Sequence, residues 1–452
     1  MNEPLSQNAV KATRIHEQTD EGTLAREKFV RAKTTKILSS VILLATIFPY
    51  VTLIPTPFDT QPYALAASAV LLVHAVLSLG PHLRIPRSSL VFFFVFAVAG
   101  GYFVSQTMDL GAARSLVGYA SIAIISLAVY YGLLSVPPQV FAVSVVIWFV
   151  VALAQIGISR EFGAMFLSRM STSRDRGITA LAVEPSYFAI CCIFMLLLNG
   201  VYAMRGGYGV KTQRLVAALL FAQIFMAASA LGFLLLGVYL AAYLIAQRRM
   251  LGRVRAVLLG VLLAIVTVAA FTFVPSLAEG RITTILDKFA DGPLVLIYGD
   301  GSIADRLLDV MASPIGLFTS GGLGYGMDAW YTEGEHIIAS SSPFVQSLAG
   351  VNPTGLSGRL LSGWGSAIFE IGIFGVLLVC TYIHVSLKAV RGASSPKEKQ
   401  IVITIAITTF VLLIVAVPLA FPFFGLMVGV LFLAGDGLLA HSGKANGSPP
   451  PQ

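Results

Sequence analysis

Long apolar runs make up most of this chain, and two polar stretches interrupt them. A membrane span needs about 20 consecutive apolar residues. Runs of that kind fall at 37–55, 63–80, 89–107, 114–134, 138–158, 178–203, 215–229, 230–246, 254–274, 363–386, 400–418 and 421–440. The run Leu215–Ala246 is too long for one untilted helix, so the pattern predicts a tight turn near Ser229. Pro418 and Pro422 divide the last two spans, because proline lacks an amide donor and clashes with the preceding turn. The expectation is an all-α polytopic membrane protein with about 12 transmembrane helices. The interruptions are Ser168–Ile190, "SRMSTSRDRGITALAVEPSYFAI", and the region 276–362. They divide the chain into a basic tail (1–36), nine spans (37–275), a large extracytoplasmic region (276–362), three spans (363–440) and a short tail (441–452).

Composition agrees. The chain is 56% hydrophobic and 12% charged, against roughly 25% charge in a soluble domain. Cys191, Cys192 and Cys380 build no disulfide framework and read as small core residues in apolar helices. No Rossmann glycine pattern, Walker lysine motif, CxxC pair or HExxH motif is present, so no cofactor or metal is expected. The net charge of +8 is no sign of nucleic acid, because the distribution of charge carries the information.

Placing both termini in the cytoplasm puts 21 of the 30 Lys and Arg residues on inside segments, as the positive-inside rule requires. Reading 215–246 as one span would put either Arg205–Arg214 or Arg248–Arg255 outside. Nine basic residues then face out: Arg114, Arg160, Arg169, Arg174, Arg176, Arg281, Lys288, Arg306 and Arg359. The region 276–362 also lies outside, between spans nine and ten, with nine acidic and four basic residues.

Arg169, Arg174 and Arg176 cluster before span six. A guanidinium fork suits phosphate oxygens. The same residues also suit lipid headgroups, or pairing with Glu161 and Asp175. Glu184 falls at membrane depth just before Pro185, so it needs a partner or a water-filled cavity. Either the helix begins there or a reentrant turn leads into it, and two helical turns would put Arg176 on a similar face. In the outer region, helical spacing brings Asp305 and Asp309 together beside Arg306. Pro314–Gly316 and Gly321–Gly326 read as turns. Asp328, Trp330, Tyr331, Glu333, Glu335 and His336 combine acids and rings, which suits a sugar and equally a wet surface loop. His336 is the one histidine of this region, and an imidazole suits proton transfer. Arg359 sits just outside span ten, eleven residues before Glu370. That is about three helical turns if the helix starts early.

Three segments in order resemble the bacterial O-antigen, capsular and exopolysaccharide polymerases (Wzy-type), within the superfamily that includes O-antigen ligases. They are "RGITALAVEPSYFA" (176–189), "DRLLDVMASPIGLFTSGGLG" (305–324) and "FEIGIFG" (369–375). The family's usual junction arginine is missing from "ASALGFLLLG" (228–237). The resemblance covers about residues 37–386 and implies a GT-C-like glycosyltransferase of the inner membrane. Its substrates would be a polyprenyl-diphosphate-linked oligosaccharide donor and acceptor. Membrane lipid, a chain-length regulator and a flippase would be its partners. By this resemblance Arg176 and Arg306 hold pyrophosphate, with Arg174 and Arg359 in support, and Glu184 is the base or orients an arginine. Ligase is the close alternative, but ligases carry a histidine near the position of Ser362, where this chain reads "SGWGSAIFEIG". A transporter of a lipid-linked glycan or other anionic substrate is the third reading. It calls for carboxylates or broken helices near the midplane of more than one span.

Overall fold

A computed structural model describes residues 24–53, 60–106, 109–171, 177–206, 208–247, 287–288, 290–299, 301–351 and 360–441. Helices α1 (24–31), α2 (Lys33–Ile47), α3 (Tyr63–Leu79), α4 (Arg87–Ser105), α5 (Leu110–Gly132) and α6 (Pro138–Gly157) come first. Helices α7 (Pro185–Met204), α8 (Val210–Ala227) and α9 (Ala230–Gln247) follow. The outer region supplies α10 (Pro293–Gly299), α11 (Gly301–Thr319), α12 (Trp330–Ala339) and α13 (Pro343–Val351). The chain continues through α14 (Gly363–Ile371), α15 (Ile373–Gly392), α16 (Pro396–Val415) and α17 (Pro422–Gly435). The protein is an all-helical polytopic membrane protein. Among the described residues nine helices are long and apolar enough to cross a membrane, α3 to α9, α15 and α16. Helices α2 and α17, with 15 and 14 residues, are shorter than the predicted spans. The predicted span 254–274 lies outside the described residues.

The predicted turn near Ser229 is present, with Ala228 at φ +43 between α8 and α9. The proline break is present too, since α16 ends at Val415 and α17 starts at Pro422. Two expectations are corrected. Pro314 lies inside α11 rather than in a turn. One lost backbone bond is outweighed there, because α11 buries Leu308 and Ala312 in the outer core. The run 363–386 is two helices rather than one span, broken at Gly372 (φ +57). A Cβ on Gly372 would lie 2.1 Å from the Gly322 carbonyl oxygen, so the close approach of two backbones dictates glycine.

Helices α5, α7 and α17 form the centre of the bundle, and the other spans surround them. Small residues allow this packing. Gly425 and Gly429 of α17, one turn apart, lie on α5, where an added Cβ would come within 2.8 Å of Ile125 and 2.6 Å of Val129. Backbones in lipid gain attraction by such close approach rather than from a hydrophobic driving force. Cys191 and Cys192 are buried in α7, whereas Cys380 is exposed on α15 and is not a core residue. A second core holds the outer helices together: Leu308, Trp330, Ile337, Val345 and Leu360 pack with Phe369.

Gly372→Ala should therefore destabilise the protein by at least ~3 kcal/mol, through left-handed strain and the clash with Gly322. Thermal unfolding in detergent reads this, and an unchanged midpoint would show that the strap near Gly322 does not press on α14.

Candidate functional site

The C-terminal ends of α4, α6, α8 and α16 and the N-terminal ends of α5, α7, α15 and α17 share one end of the bundle, called here the site end. Three non-helical segments lie there: 177–184, 320–329 and 416–421.

The first segment is buried throughout, from Ile178 to Val183. Non-helical backbone is tolerated in such surroundings only where each polar group finds a partner. The Ile178 amide donates to the Met226 carbonyl (3.3 Å), and the Ser171 amide donates to that of Val183 (2.8 Å). Gly177 lies so close to the Ala227 carbonyl that a Cβ there would be 2.0 Å from its oxygen. The segment delivers Glu184 to the N-cap of α7, with Pro185 in the first turn. Glu184 is half-buried, accepts from the Ser186 hydroxyl (3.4 Å), and sits where the helix dipole favours negative charge. Of the two readings of Glu184, the helix start is present, and a buried non-helical segment precedes it. The helical phasing of Arg176 with Glu184 is corrected, because the residues between them from 177 on are not helical. Arg174 and Arg176 lie outside the described residues, and Arg169 is exposed on the same connection.

The second group is on α11. Asp305 and Asp309 stand one turn apart, as their spacing predicted. Arg306 donates to the Val415 carbonyl (3.3 Å), placing a cation at the C-terminal end of α16. Asp309 is buried and accepts from the Leu361 amide (3.0 Å). Burial pushes its carboxyl up to about 7 and the nearby Asp305 adds to this, while the Leu361 amide and Arg306 oppose it.

Glu370 forms the third group, at the end of α14 and outside the membrane-spanning helices. Its Oε1 accepts from the Ser115 hydroxyl (2.7 Å) and the Asp328 amide (3.1 Å), and its Oε2 accepts from the Tyr119 hydroxyl (2.9 Å). One carboxylate therefore joins α5, α14 and the glycine-rich segment 320–329. Burial raises it to about 7, against the effect of these three donors. The glycine segment is fastened elsewhere as well. The Tyr102 hydroxyl donates to the Leu323 carbonyl (2.6 Å), and Gln106 accepts from the Met327 amide (2.9 Å). The predicted turns at Gly321–Gly326 are present, with Gly321, Gly322, Gly324 and Gly326 all at positive φ. Asp328 shares that conformation at φ +58, and its carboxylate lies against Gly111 at the start of α5.

The turn 416–421 links the first two groups. Val415 before it takes Arg306, and its Phe421 packs on Tyr50 (6.1 Å between ring centroids), which packs on Tyr187 (5.7 Å), three residues beyond Glu184. Trp330 is 3% exposed, with its ring against Phe369 (5.4 Å) and over Gly334, so it offers no open face for a sugar. The exposed ring on α12 is Tyr331. His336 is exposed on the same helix. Arg359 lies outside the described residues, and α14 starts at Gly363, so no helix runs from Arg359 to Glu370. Among the described residues no three His, Cys, Asp or Glu side chains converge on a metal position. Ser115, Tyr119, Gln106 and Gln155 are the polar residues that the pattern reading passed over. Their one signal is a polar side chain near the end of an apolar run. No family model and no curated protein matches this chain.

Both raised carboxyls make stability depend on pH. The folded state holds protons that the unfolded chain releases. This contribution is complete below about pH 4 and is lost as pH rises through about 7. Glu370→Gln and Asp309→Asn should each flatten the fall in unfolding temperature between pH 5 and 8. An unchanged pH slope in both variants would mean that neither group titrates in that window.

Proposed function

We propose that this chain polymerises polyprenyl-diphosphate-linked oligosaccharide repeat units into a surface or secreted polysaccharide. It acts by glycosyl transfer at the outer face of a bacterial inner membrane, with both termini in the cytoplasm and the site end outside. The chemistry follows from the groups at that end. Arg306, together with Arg176, holds the diphosphate of the donor. The bond from the anomeric carbon to the diphosphate oxygen breaks, and the arginines stabilise the charge that develops on the leaving diphosphate. Glu184 takes the proton from the acceptor hydroxyl, whose oxygen forms the new glycosidic bond. The lipid diphosphate departs, and the grown chain stays on the acceptor's carrier. The architecture is GT-C-like, and a flippase and a chain-length regulator are its expected partners.

The observation that carries this reading is the placement of charge. In the nine candidate spans every Asp, Glu, Lys and Arg lies within five residues of a helix end. An ion-coupled transporter needs ionisable groups near the midplane. A substrate with its diphosphate at the interface and its polyprenyl chain in lipid is met instead by Glu184 and Arg306, which lie outside these spans, beside the N-terminal end of α7 and the C-terminal end of α16.

Chromosomal deletion followed by surface-glycan analysis tests the proposal. Loss of long polymer with single repeats retained is the expected result, and unattached long polymer on its carrier would indicate ligase instead. Arg176→Ala, Glu184→Ala and Arg306→Ala should each abolish elongation at normal membrane abundance. Normal elongation in all three would overturn the site assignment.

A further inference from the structure

Gln155 is an amide in an otherwise apolar stretch of α6, "VVALAQIG", and it is 2% exposed. Its carboxamide meets the buried segment that leads to Glu184. Oε1 accepts from the Thr179 amide (3.1 Å) and from the Ala180 amide (2.8 Å). Nε2 donates to the Ala180 carbonyl (3.0 Å) and to the Phe162 carbonyl (3.0 Å). The Thr179 hydroxyl lies within 3.3 Å of Nε2. A carboxamide has two acceptor sites and two donor hydrogens. All four are used, and three of the bonds go to the backbone of the segment itself. Ala180, at the centre of this grip, has φ +47, a conformation that a non-glycine residue adopts only when its surroundings impose it. Four residues later the chain reaches the N-cap of α7 and Glu184.

We propose that Gln155 is a positioning residue that sets the place of the Glu184 carboxylate, resting on the reading of Glu184 as the base for the acceptor hydroxyl. The grip is rigid at one end, because α6 is a span packed on α2 and α8. At the other end the segment has little freedom before Pro185 fixes the first turn of α7. Only a carboxamide of this length supplies an acceptor for two adjacent amides and donors for two carbonyls. An apolar side chain would leave these groups buried and unpaired, and the segment would move to find other partners. A displacement of about 1 Å at a reacting group costs on the order of 100-fold in rate. Gln155 touches no substrate in this scheme and acts through Glu184 alone.

A double-mutant cycle on the purified full-length protein in nanodiscs tests this, with a radiolabelled lipid-diphosphate-linked repeat unit as substrate. Gln155→Met should lower kcat by roughly 10- to 100-fold while KM changes less than about 2-fold. In a Glu184→Gln background, whose rate should fall too low for elongation in cells yet stay measurable in single turnovers at high enzyme concentration, the same substitution should have almost no further effect. Gln155→Glu keeps the acceptor for both amides, so it should lose less than Gln155→Met, and it serves as the test if Gln155→Met does not assemble. Equal fold losses in both backgrounds would overturn the inference, as would wild-type kcat in the Gln155 variants or a change in KM alone. Full activity in Glu184→Gln by itself would instead remove Glu184 as the base, a separate failure that takes the inference with it.

Discussion

The backbone of a membrane-embedded chain cannot leave its amides and carbonyls to water, and the rest of this structure depends on how that demand is met. Helices satisfy it internally along the spans. At the site end the segments 177–184, 320–329 and 416–421 leave helical geometry, and specific partners hold the chain around them. Gln155 and the C-terminal end of α8 hold the segment before Glu184. Glu370, Gln106 and Tyr102 hold the glycine-rich segment. Arg306 takes the carbonyl of Val415. Gln155 and Glu370, which carry much of this task, are buried polar side chains.

The same constraint accounts for the two carboxyls that titrate high. Asp309 and Glu370 each accept backbone amides while buried, so desolvation outweighs the donors that favour their ionised forms. Glu370 is fully engaged in joining α5, α14 and the glycine segment, which suits a structural fastening better than contact with a substrate. Glu184 differs: it is half-buried at a helix N-terminus, with one long contact from Ser186. It keeps acceptor capacity for an incoming hydroxyl, and this division of roles motivates treating Glu184 rather than Glu370 as the reacting carboxylate.

Much of the architecture was legible in the amino-acid sequence because hydropathy acts locally. The division of 215–246 at Ser229 and the break at Pro418–Pro422 follow from run length, charge placement and proline chemistry. The break at Gly372 was not legible, because it arises from contact with Gly322, fifty residues earlier. Pro314 shows the converse: a strong local signal for a turn was overruled by burial of α11 in the outer core. At the site, Glu184 stood out as a charge at membrane depth. Trp330 looked like a sugar platform because composition does not reveal which aromatic ring another ring already covers. Gln155 was passed over as one polar residue in an apolar run, because only the fold brings Thr179 and Ala180 to it.

The most direct test of the account is chain growth by the purified protein in nanodiscs, supplied with one lipid-diphosphate-linked repeat unit as both donor and acceptor. A ladder of products increasing by single repeats, with lipid diphosphate released in step with each addition, is the predicted result. A protein that stays folded, binds the repeat unit and forms no dimer of it would contradict the claim that the site end catalyses glycosyl transfer.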